Sequence, residues 1–306
     1  MSRIHEALKK AELERASTQG GIVPPSQASG SSAETQAVAE MPLPVAAPNQ
    51  GMAGFAGPFN LETLLARCPQ SEWKPDLQTM LFMNGNDSSK GTEEYRTLRS
   101  RLYHIREKMP LKTVLVTSAL PKEGKSFTAA NLAQVMVRQH GRRALLIDAD
   151  LRGPRLHLML GAAAGPGLSE YLLGRNDEFS IIQRGPMENL FFISSGTAIE
   201  DPAELVSSAR LKALLQRVDP VFDWIIIDSP PAVPVSDASV LAKVCDGVLM
   251  VVRSNVTPSD VARRARAEFP DEELVGVVLN GIGETEESYA HYYYETYNKK
   301  GSTAKS

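Results

Sequence analysis

The sequence predicts an α/β protein with a mostly parallel β-sheet between layers of helices. Short apolar runs alternate with helix-compatible stretches between about residues 90 and 282. The runs are apolar almost throughout, as strands buried on both faces require, and this alternation is typical of right-handed βαβ units. The predicted strands are Thr113–Ser118, Ala144–Asp148, Leu190–Ser194, Asp223–Asp228, Gly247–Val252 and Leu274–Asn280.

Composition excludes several classes of protein. The chain has 306 residues, 42% hydrophobic and 23% charged, an ordinary balance for a soluble protein of one or two domains. A net charge of -3 gives no reason to expect a nucleic-acid partner. Cys68 and Cys245 form no CxxC pair, which excludes a disulfide scaffold and a thiolate zinc site. Since no apolar run reaches the roughly 18 residues of a membrane span and Met1 starts no secretory signal, we expect a cytoplasmic protein.

The residues on either side of this domain differ from it in composition. Residues 1–16 predict an amphipathic helix, which is either a frayed terminal helix or a docking helix for a partner. Residues 17–58 hold six Gly, six Pro, five Ser, eight Ala and only two charged residues, which predicts a disordered tether. Residues 59–89 predict a connecting helical segment, residues 90–282 the main domain and residues 283–306 a tyrosine-rich tail.

A phosphate-binding loop follows the first predicted strand. Residues 119–126 read ALPKEGKS and lead into a helix, which is the phosphate-loop pattern with alanine in place of the first glycine. Gly124 lets backbone N–H groups approach phosphates, Lys125 reaches the β- and γ-phosphates, and Ser126 offers its hydroxyl to Mg²⁺. The predicted fold is therefore P-loop NTPase-like.

Three aspartates stand at the ends of core strands. Asp148 and Asp150 follow the second strand, and Asp228 ends the fourth. A carboxylate buried at a strand tip is costly without a partner, and a bound cation supplies one. Helix capping or an Asx-turn explains one such residue easily, but three beside a phosphate loop favour a metal site.

These segments resemble the nucleotide-binding motifs of the bacterial protein tyrosine kinases (BY-kinases) of exopolysaccharide and capsule loci. That family joins a phosphate loop to a DxDxR motif, here residues 148–152, and a DxPP motif, here residues 228–231. The likeness covers roughly residues 90–300, and the opening SRIHEALKKAE is similar to the N-termini of cytoplasmic members. Two positions depart from relatives. Lys122 stands where kinases often have glycine, and Leu120 stands where the related partitioning and division-site ATPases carry a signature lysine.

The resemblance implies an autokinase that moves the γ-phosphoryl group of ATP to tyrosine, with Mg²⁺ as cofactor. Lys125 then neutralises phosphate charge, and Asp148 accepts the tyrosine proton, a role that it could exchange with Asp150. Ser126, Asp150 and Asp228 hold the metal or its waters. The residues implied to contact ATP are Pro121, Glu123, Gly124, Lys125, Ser126, Phe127, Arg152 and Asn280.

Tyrosine is concentrated in the tail. Five of the eight tyrosines are predicted phosphoacceptors in trans, namely Tyr289, Tyr292, Tyr293, Tyr294 and Tyr297. The alternative is an aromatic terminal helix that packs on the domain. Upstream, Glu93, Arg96 and Arg99 match an ExxRxxR motif that forms a ring interface in relatives, whereas the residues alone would favour a solvated helix with internal ion pairs.

The resemblance also implies partners. We expect a separate membrane chain-length regulator that activates the kinase and recruits it to the inner face of the membrane, a homo-oligomeric ring and a cognate tyrosine phosphatase. Two other functions remain open from the sequence. One is a nucleotide-switched ATPase of the partitioning or positioning type, and the other is an interaction protein with an inactive ATP site.

Overall fold

The computed structural model describes residues 59–68, 70–83 and 91–282. Its elements, in chain order, are α1 (Leu61–Arg67), α2 (Thr92–Arg106), β1 (Thr113–Ser118), α3 (Lys125–Val137), β2 (Ala144–Asp148), α4 (Leu156–Leu160), α5 (Leu168–Leu172), α6 (Glu178–Ile181), β3 (Ile182–Arg184), β4 (Leu190–Ile193), α7 (Pro202–Val206), α8 (Ala209–Val218), β5 (Trp224–Asp228), α9 (Asp237–Ala242), β6 (Gly247–Arg253), α10 (Ser259–Ala267) and β7 (Leu274–Asn280).

The strands form one seven-stranded sheet in the order β3-β4-β2-β5-β1-β6-β7. Every pair is parallel except β3 with β4. The predicted α/β fold with a mostly parallel sheet is thus confirmed, and β1, β2 and β7 have the bounds that the apolar runs predict. Because β1 lies between β5 and β6, the loops that follow these strands meet at one edge of the sheet.

Two hydrophobic clusters cover the two faces of the sheet. One contains Leu115 of β1 and Ile227 of β5, and the other contains their neighbours Val116 and Ile226. Residues of β1, β2, β4 and β5 are buried along their whole length, because alternate side chains enter opposite clusters. The apolar runs without alternation reflect this two-sided burial.

The sheet edges depart from the sequence prediction. The strand β3 is antiparallel and only three residues long, too short to give a periodic signal. The predicted burial on both faces is wrong for β7. Val277 and Leu279, which lie on one face of that edge strand, are exposed, so that the described elements do not cover this face. Apolar composition alone therefore does not distinguish an edge strand from a central one.

A segment upstream of the main domain lies across helix α3. Of the predicted helical stretch 59–89, only α1 is helical among the described residues, and 70–83 contains no helix. Pro75 is one reason, since proline is excluded from helix interiors. The buried amides of Asn131 and Gln134 on α3 accept the backbone N–H groups of Leu81 and Phe82 at 2.9 and 3.3 Å. We call residues 79–82 the strap.

Three predicted segments lie outside the described residues: the N-terminal helix 1–16, the tether 17–58 and the tail 283–306 with its five tyrosines. Residues 69 and 84–89 of the connecting segment and residue 90 of the main domain are also outside them.

Candidate active site

The phosphate loop connects β1 to the N-terminus of α3. Gly124 caps this helix with φ of 95°, a left-handed conformation that favours glycine. A Cβ atom here would stand 2.0 Å from Nδ2 of Asn280, so the position also requires glycine for space. Lys125 and Ser126 form the first turn of α3, where free backbone N–H groups and the helix dipole favour an anion.

The three predicted aspartates converge beside this turn. Asp148 and Asp228 are register partners on the adjacent strands β2 and β5, and both are fully buried. Asp150, two residues beyond β2, is 6% exposed. Nζ of Lys125 lies 2.7 Å from Oδ2 of Asp150 and 3.9 Å from Oδ1 of Asp228. The sheet topology thus brings together four residues that are up to 103 positions apart, from Lys125 to Asp228.

Charge in this cluster is strongly coupled. Burial acts to lower the pKa of Lys125, but the charges of Asp228 and Asp150 outweigh it and raise the pKa above the usual lysine value. The ammonium group is therefore charged at neutral pH. Burial raises the pKa of both Asp148 and Asp228, and for Asp228 the charge of Lys125 acts in the opposite direction. Ionised carboxylates at these two positions are costly, so a nearby cation would stabilise them.

The cluster suits a magnesium ion. Neither carboxylate oxygen of Asp228 has a well-formed hydrogen bond among the described residues, and the Ser126 hydroxyl and the Ser229 N–H lie close enough only to oppose the rise of its pKa that burial causes. A buried carboxylate of this kind suits a cation or its waters. The Ser126 hydroxyl lies 3.4 Å from Nζ of Lys125 and so stands in the same cluster. In residues 59–68, 70–83 and 91–282 no three His, Cys, Asp or Glu side chains form a metal cage by themselves. Magnesium does not require one, because it keeps waters and substrate phosphates as ligands.

Asp148 and Asp150 differ in the groups that bind their carboxylate oxygens. Oδ1 of Asp148 accepts the N–H of Asp150 at 3.2 Å, and Oδ2 accepts the N–H of Leu156 at 3.1 Å. Asp148 thereby shapes the loop between β2 and α4. Asp150 accepts the N–H of Gly153 at 3.0 Å on one oxygen and binds Lys125 with the other. Of the two, Asp150 has the carboxylate that reaches the surface.

Four other predicted ATP contacts lie in or beside the loop. Pro121 is exposed in the loop, whereas Glu123 is buried and accepts the N–H of Leu120 at 2.8 Å. The Phe127 side chain packs towards the core, with its ring centroid 6.1 Å from that of Tyr95. The amide of Asn280 donates to the carbonyl oxygen of Glu123 at 2.8 Å and so supports the loop backbone.

Arg152 is held by an aspartate that the sequence did not single out as a site residue. Its Nε and Nη2 donate to the two oxygens of Asp237 at 2.8 and 3.1 Å. Asp237 is 1% exposed and opens α9, beyond β5. The pair is bidentate, which fixes the plane of the guanidinium group beside the acidic cluster. Local spacing does not reveal this pair, because the two residues are 85 positions apart.

The ExxRxxR residues do not share one surface. Glu93 and Arg96 form an ion pair on the outer side of α2. Arg99 instead donates to the carbonyl oxygen of Val135 on α3 at 3.0 Å, so that it joins the two helices. Only the first two residues therefore lie together on the outer side of α2.

The five predicted acceptor tyrosines are outside the described residues, so the structure gives no geometry for them. Among the helices that it describes, none combines the length and the apolar composition that crossing a membrane requires.

A strand–loop–helix phosphate site beside buried aspartates on a parallel sheet defines a P-loop NTPase. In agreement, residues 111–303 match the ParA family, described as NUBPL iron-transfer P-loop NTPase. The shared part is the nucleotide-binding fold.

Similar proteins with known names indicate the subgroup of P-loop NTPases to which the chain belongs. The chain is 36% identical to tyrosine-protein kinase YwqD of Bacillus subtilis over 207 residues, which cover 67% of this chain and 87% of that protein. It is 30% identical to tyrosine-protein kinase wzc of Salmonella typhimurium over 79% of this chain, but only 36% of that longer protein. The kinase domain of Escherichia coli tyrosine kinase ETK superposes with a TM-score of 0.61 and 29% identity, over 67% of this chain and 80% of that one. The chain belongs to the bacterial tyrosine-protein kinases.

Proposed function

We propose that this chain is an ATP- and Mg²⁺-dependent tyrosine autokinase that phosphorylates the tyrosines of its own tail, in trans, and thereby regulates exopolysaccharide or capsule polymerisation and export. The observation that carries the proposal is the cluster of Lys125, Asp150 and Asp228 at the N-terminus of α3. It supplies a cation for phosphate, a pair of carboxylates for a metal and a helix end for an anion. Membership of the tyrosine kinases supports the choice of tyrosine as acceptor.

The residues divide the work of phosphoryl transfer. Backbone N–H groups from Gly124 onward bind the phosphates, and Lys125 exchanges Asp150 for the β- and γ-phosphate oxygens when ATP arrives. Ser126 and Asp228 would hold Mg²⁺, with Asp150 as a further candidate ligand of the metal or its waters, and the metal would neutralise phosphate charge. Arg152, fixed by Asp237, contacts the phosphates from the other side of the cluster. Such transfer needs mostly positioning and neutralisation of charge, so these few groups suffice.

The base for the tyrosine hydroxyl would be either Asp148, the last residue of β2, or Asp150, two residues beyond it. The sequence favoured Asp148, with an exchange of roles left open. We now assign the base to Asp150, because its Oδ2 is bound only by Lys125, which would turn to the phosphates, whereas both oxygens of the fully buried Asp148 are bound by backbone N–H groups. A general base must come within hydrogen-bond distance of its proton before its pKa matters. Asp148 would then keep the β2–α4 loop in shape.

The tail is proposed as acceptor from its composition. Tyr289 to Tyr297 include five tyrosines, and Glu284, Glu286, Glu287 and Glu295 stand beside them. Phosphorylation adds roughly -2 charge per tyrosine, so a modified tail would repel itself and its neighbours. We therefore propose a ring that forms from unphosphorylated chains and loosens as they become phosphorylated, with a tyrosine phosphatase to restore the first state.

Two surfaces are proposed for assembly. Glu93 and Arg96, on the outer side of α2, are candidates for the contact between subunits. A separate membrane chain-length regulator would activate the kinase from the inner face of the membrane, with the kinase itself cytoplasmic. The N-terminal helix 1–16 is a candidate to dock on such a partner.

Phosphotyrosine formation by the purified chain with ATP and Mg²⁺ tests the proposal. The matched pair of variants is Lys125→Met in the site and Lys212→Met, an exposed lysine on α8. We expect phosphotyrosine on the wild type and Lys212→Met, and none on Lys125→Met when each is made in a host without another tyrosine kinase. Phosphotyrosine on Lys125→Met would refute autokinase activity.

The position of the phosphate is a separate question. Replacement of the five tail tyrosines by phenylalanine should abolish most of the signal, with ATP hydrolysis retained. If mass spectrometry instead placed the phosphate outside residues 289–297, the kinase assignment would stand and the tail assignment would not. ATP hydrolysis without any phosphotyrosine would favour the nucleotide-switched ATPase.

A further inference from the structure

The phosphate loop is supported on one side by the last residue of β6, by Thr257 shortly after that strand and by the last residue of β7. The Thr257 hydroxyl donates to Oε1 of Glu123, and Asn280 binds the carbonyl oxygen of the same glutamate. Arg253 donates to the carbonyl oxygen of Lys122 at 3.4 Å. These contacts join positions more than 130 residues apart and reach two successive residues of the loop.

One of these loop residues is held in an unfavourable conformation. Lys122 has φ of 66°, in the left-handed region that residues with a Cβ atom rarely occupy. Such a conformation is unfavourable for a residue with a Cβ atom and persists only where surrounding contacts hold it. It stands at the position where the sequence departs from the glycine common in related kinases. The contacts from Arg253 and Thr257 lie on either side of the strained peptide.

The direction of the Thr257 hydroxyl is determined by its two partners. The backbone N–H of Arg253 donates to the Thr257 oxygen at 3.2 Å, and an N–H group can only donate. The hydroxyl hydrogen is therefore left for the carboxylate of Glu123. With Leu120 N–H on the other oxygen, both oxygens of this buried carboxylate are bound.

The charge of Glu123 makes this arrangement important for nucleotide binding. A carboxylate next to Gly124 lies in a loop whose purpose is to accept an anion, and a like charge there opposes phosphate unless it is bound and directed elsewhere. Glu123 is 2% exposed, so water cannot replace a lost partner at little cost.

We propose that Thr257 is a positioning residue for the phosphate loop. Through Glu123 it keeps a negative charge turned away from the phosphate site and helps to hold Lys122 in its unfavourable φ. The inference rests on the proposed ATP site and adds a residue that touches neither the nucleotide nor the metal.

Calorimetric measurement of Mg²⁺·ADP binding to the full chain tests the positioning role of Thr257 without any chemical step. Thr257→Val removes the hydroxyl with little change of volume, and Thr257→Ser retains it. Thr257→Val should raise the dissociation constant about tenfold, the size of one hydrogen bond to a charged group, and Thr257→Ser should restore it to within about twofold of wild type. At saturating ATP the rate of tyrosine phosphorylation should remain within about twofold, because the reacting groups are unchanged.

A double-mutant cycle tests the link to the strained residue. In the chain without nucleotide, Lys122→Gly should reduce the loss of stability caused by Thr257→Val, since glycine adopts this φ without help. The matched control is Asn189→Gly, at another position with positive φ (67°), in the turn before β4. It should leave the effect of Thr257→Val unchanged.

The outcomes separate this inference from the proposed function. Wild-type affinity in Thr257→Val, or an equal loss in Thr257→Val and Thr257→Ser, would overturn the positioning role while leaving the ATP site intact. An effect of Thr257→Val that Lys122→Gly does not alter would overturn the part assigned to strain. Failure of the wild type to bind Mg²⁺·ADP would refute the proposed function and this inference with it.

Discussion

One aspartate directly precedes strand β5 and another is its last residue, and the two differ in how their carboxylates are paired. Asp223, on the amino side, accepts Nη1 of Arg142 at 2.8 Å and the N–H of Arg143 at 2.9 Å. Asp228, at the carboxyl end, is fully buried, has no well-formed hydrogen bond within the described residues and lies 3.9 Å from Nζ of Lys125. The pKa of Asp223 is lowered, because these partners outweigh the effect of burial, whereas burial raises the pKa of Asp228.

The difference separates a stabilising group from a functional one. A buried acceptor without partners lowers stability, and a fold retains it where a ligand supplies the missing contact. A paired carboxylate at the amino edge needs no ligand. We therefore expect substitutions at Asp228 to affect activity and those at Asp223 to affect stability.

The largest expected effect is on activity at Asp228. Asp228→Asn removes a charge that Mg²⁺ requires, and we expect tyrosine phosphorylation to fall at least about 100-fold. Asp223→Asn should remain within about twofold of wild type. Initial rates at several Mg²⁺ concentrations measure both, and equal losses in the two variants would contradict the division of roles.

The stabilisation of the protein by a bound nucleotide should depend on Asp228 and not on Asp223. At 100 times its dissociation constant, Mg²⁺·ADP should raise the free energy of unfolding by about 2.7 kcal/mol. Thermal or urea unfolding with and without ligand measures this. Asp223→Asn should show the same gain as wild type, and Asp228→Asn should show little of it. A full gain in Asp228→Asn would remove Asp228 from the metal site.

Without ligand, the two substitutions should change stability in opposite directions. Asp223→Asn loses charged hydrogen bonds at a partly exposed site and should lower the free energy of unfolding by about 1–2 kcal/mol. Asp228→Asn removes a buried charge while Lys125 keeps its closer partner Asp150, and should raise the free energy of unfolding by about 1 kcal/mol. Urea unfolding at neutral pH measures both changes. A loss of stability in Asp228→Asn would show that its charge is satisfied in the free protein.

The smallest expected effect is the pH dependence of the stability that Asp223 contributes. The pKa of Asp223 is lowered in the folded protein, so its contribution is present above the unfolded value near 3.8 and is lost as pH falls through the lower folded value. The difference in unfolding free energy between wild type and Asp223→Asn should therefore shrink below about pH 4. Urea unfolding across this range measures it, and a difference that stays constant would assign the loss to packing.

How far the sequence predicted this molecule depends on the distance over which each signal acts. The central strands and the loop around Gly124 and Lys125 were predictable, because two-sided burial and phosphate binding leave local patterns. The convergence of Asp148 and Asp228 followed from topology, since parallel strands end at one edge. Asp237 and Thr257 were not identified as site residues, because each acts through a side chain far away in the sequence.

Details of environment were also beyond the sequence. The pattern placed Arg99 with Glu93 and Arg96, but the turn of α2 directs it to Val135 on the neighbouring helix. The short strand β3 is specified by its pairing with β4 rather than by its own three residues. In each case a tertiary contact decides the outcome, and local periodicity carries no record of it.

The strap has a consequence for how such kinases diversify. Its backbone N–H groups are bound by Asn131 and Gln134 of the helix that begins with Lys125, and its Phe82 carbonyl oxygen by Arg138, which directly follows that helix. Recombination that replaced residues upstream of this strap would leave the helix covered, whereas a junction within it would uncover buried Met80 and Phe82. Gene fusions to new membrane or signalling modules are therefore expected to join before the strap and to inherit it with the catalytic domain.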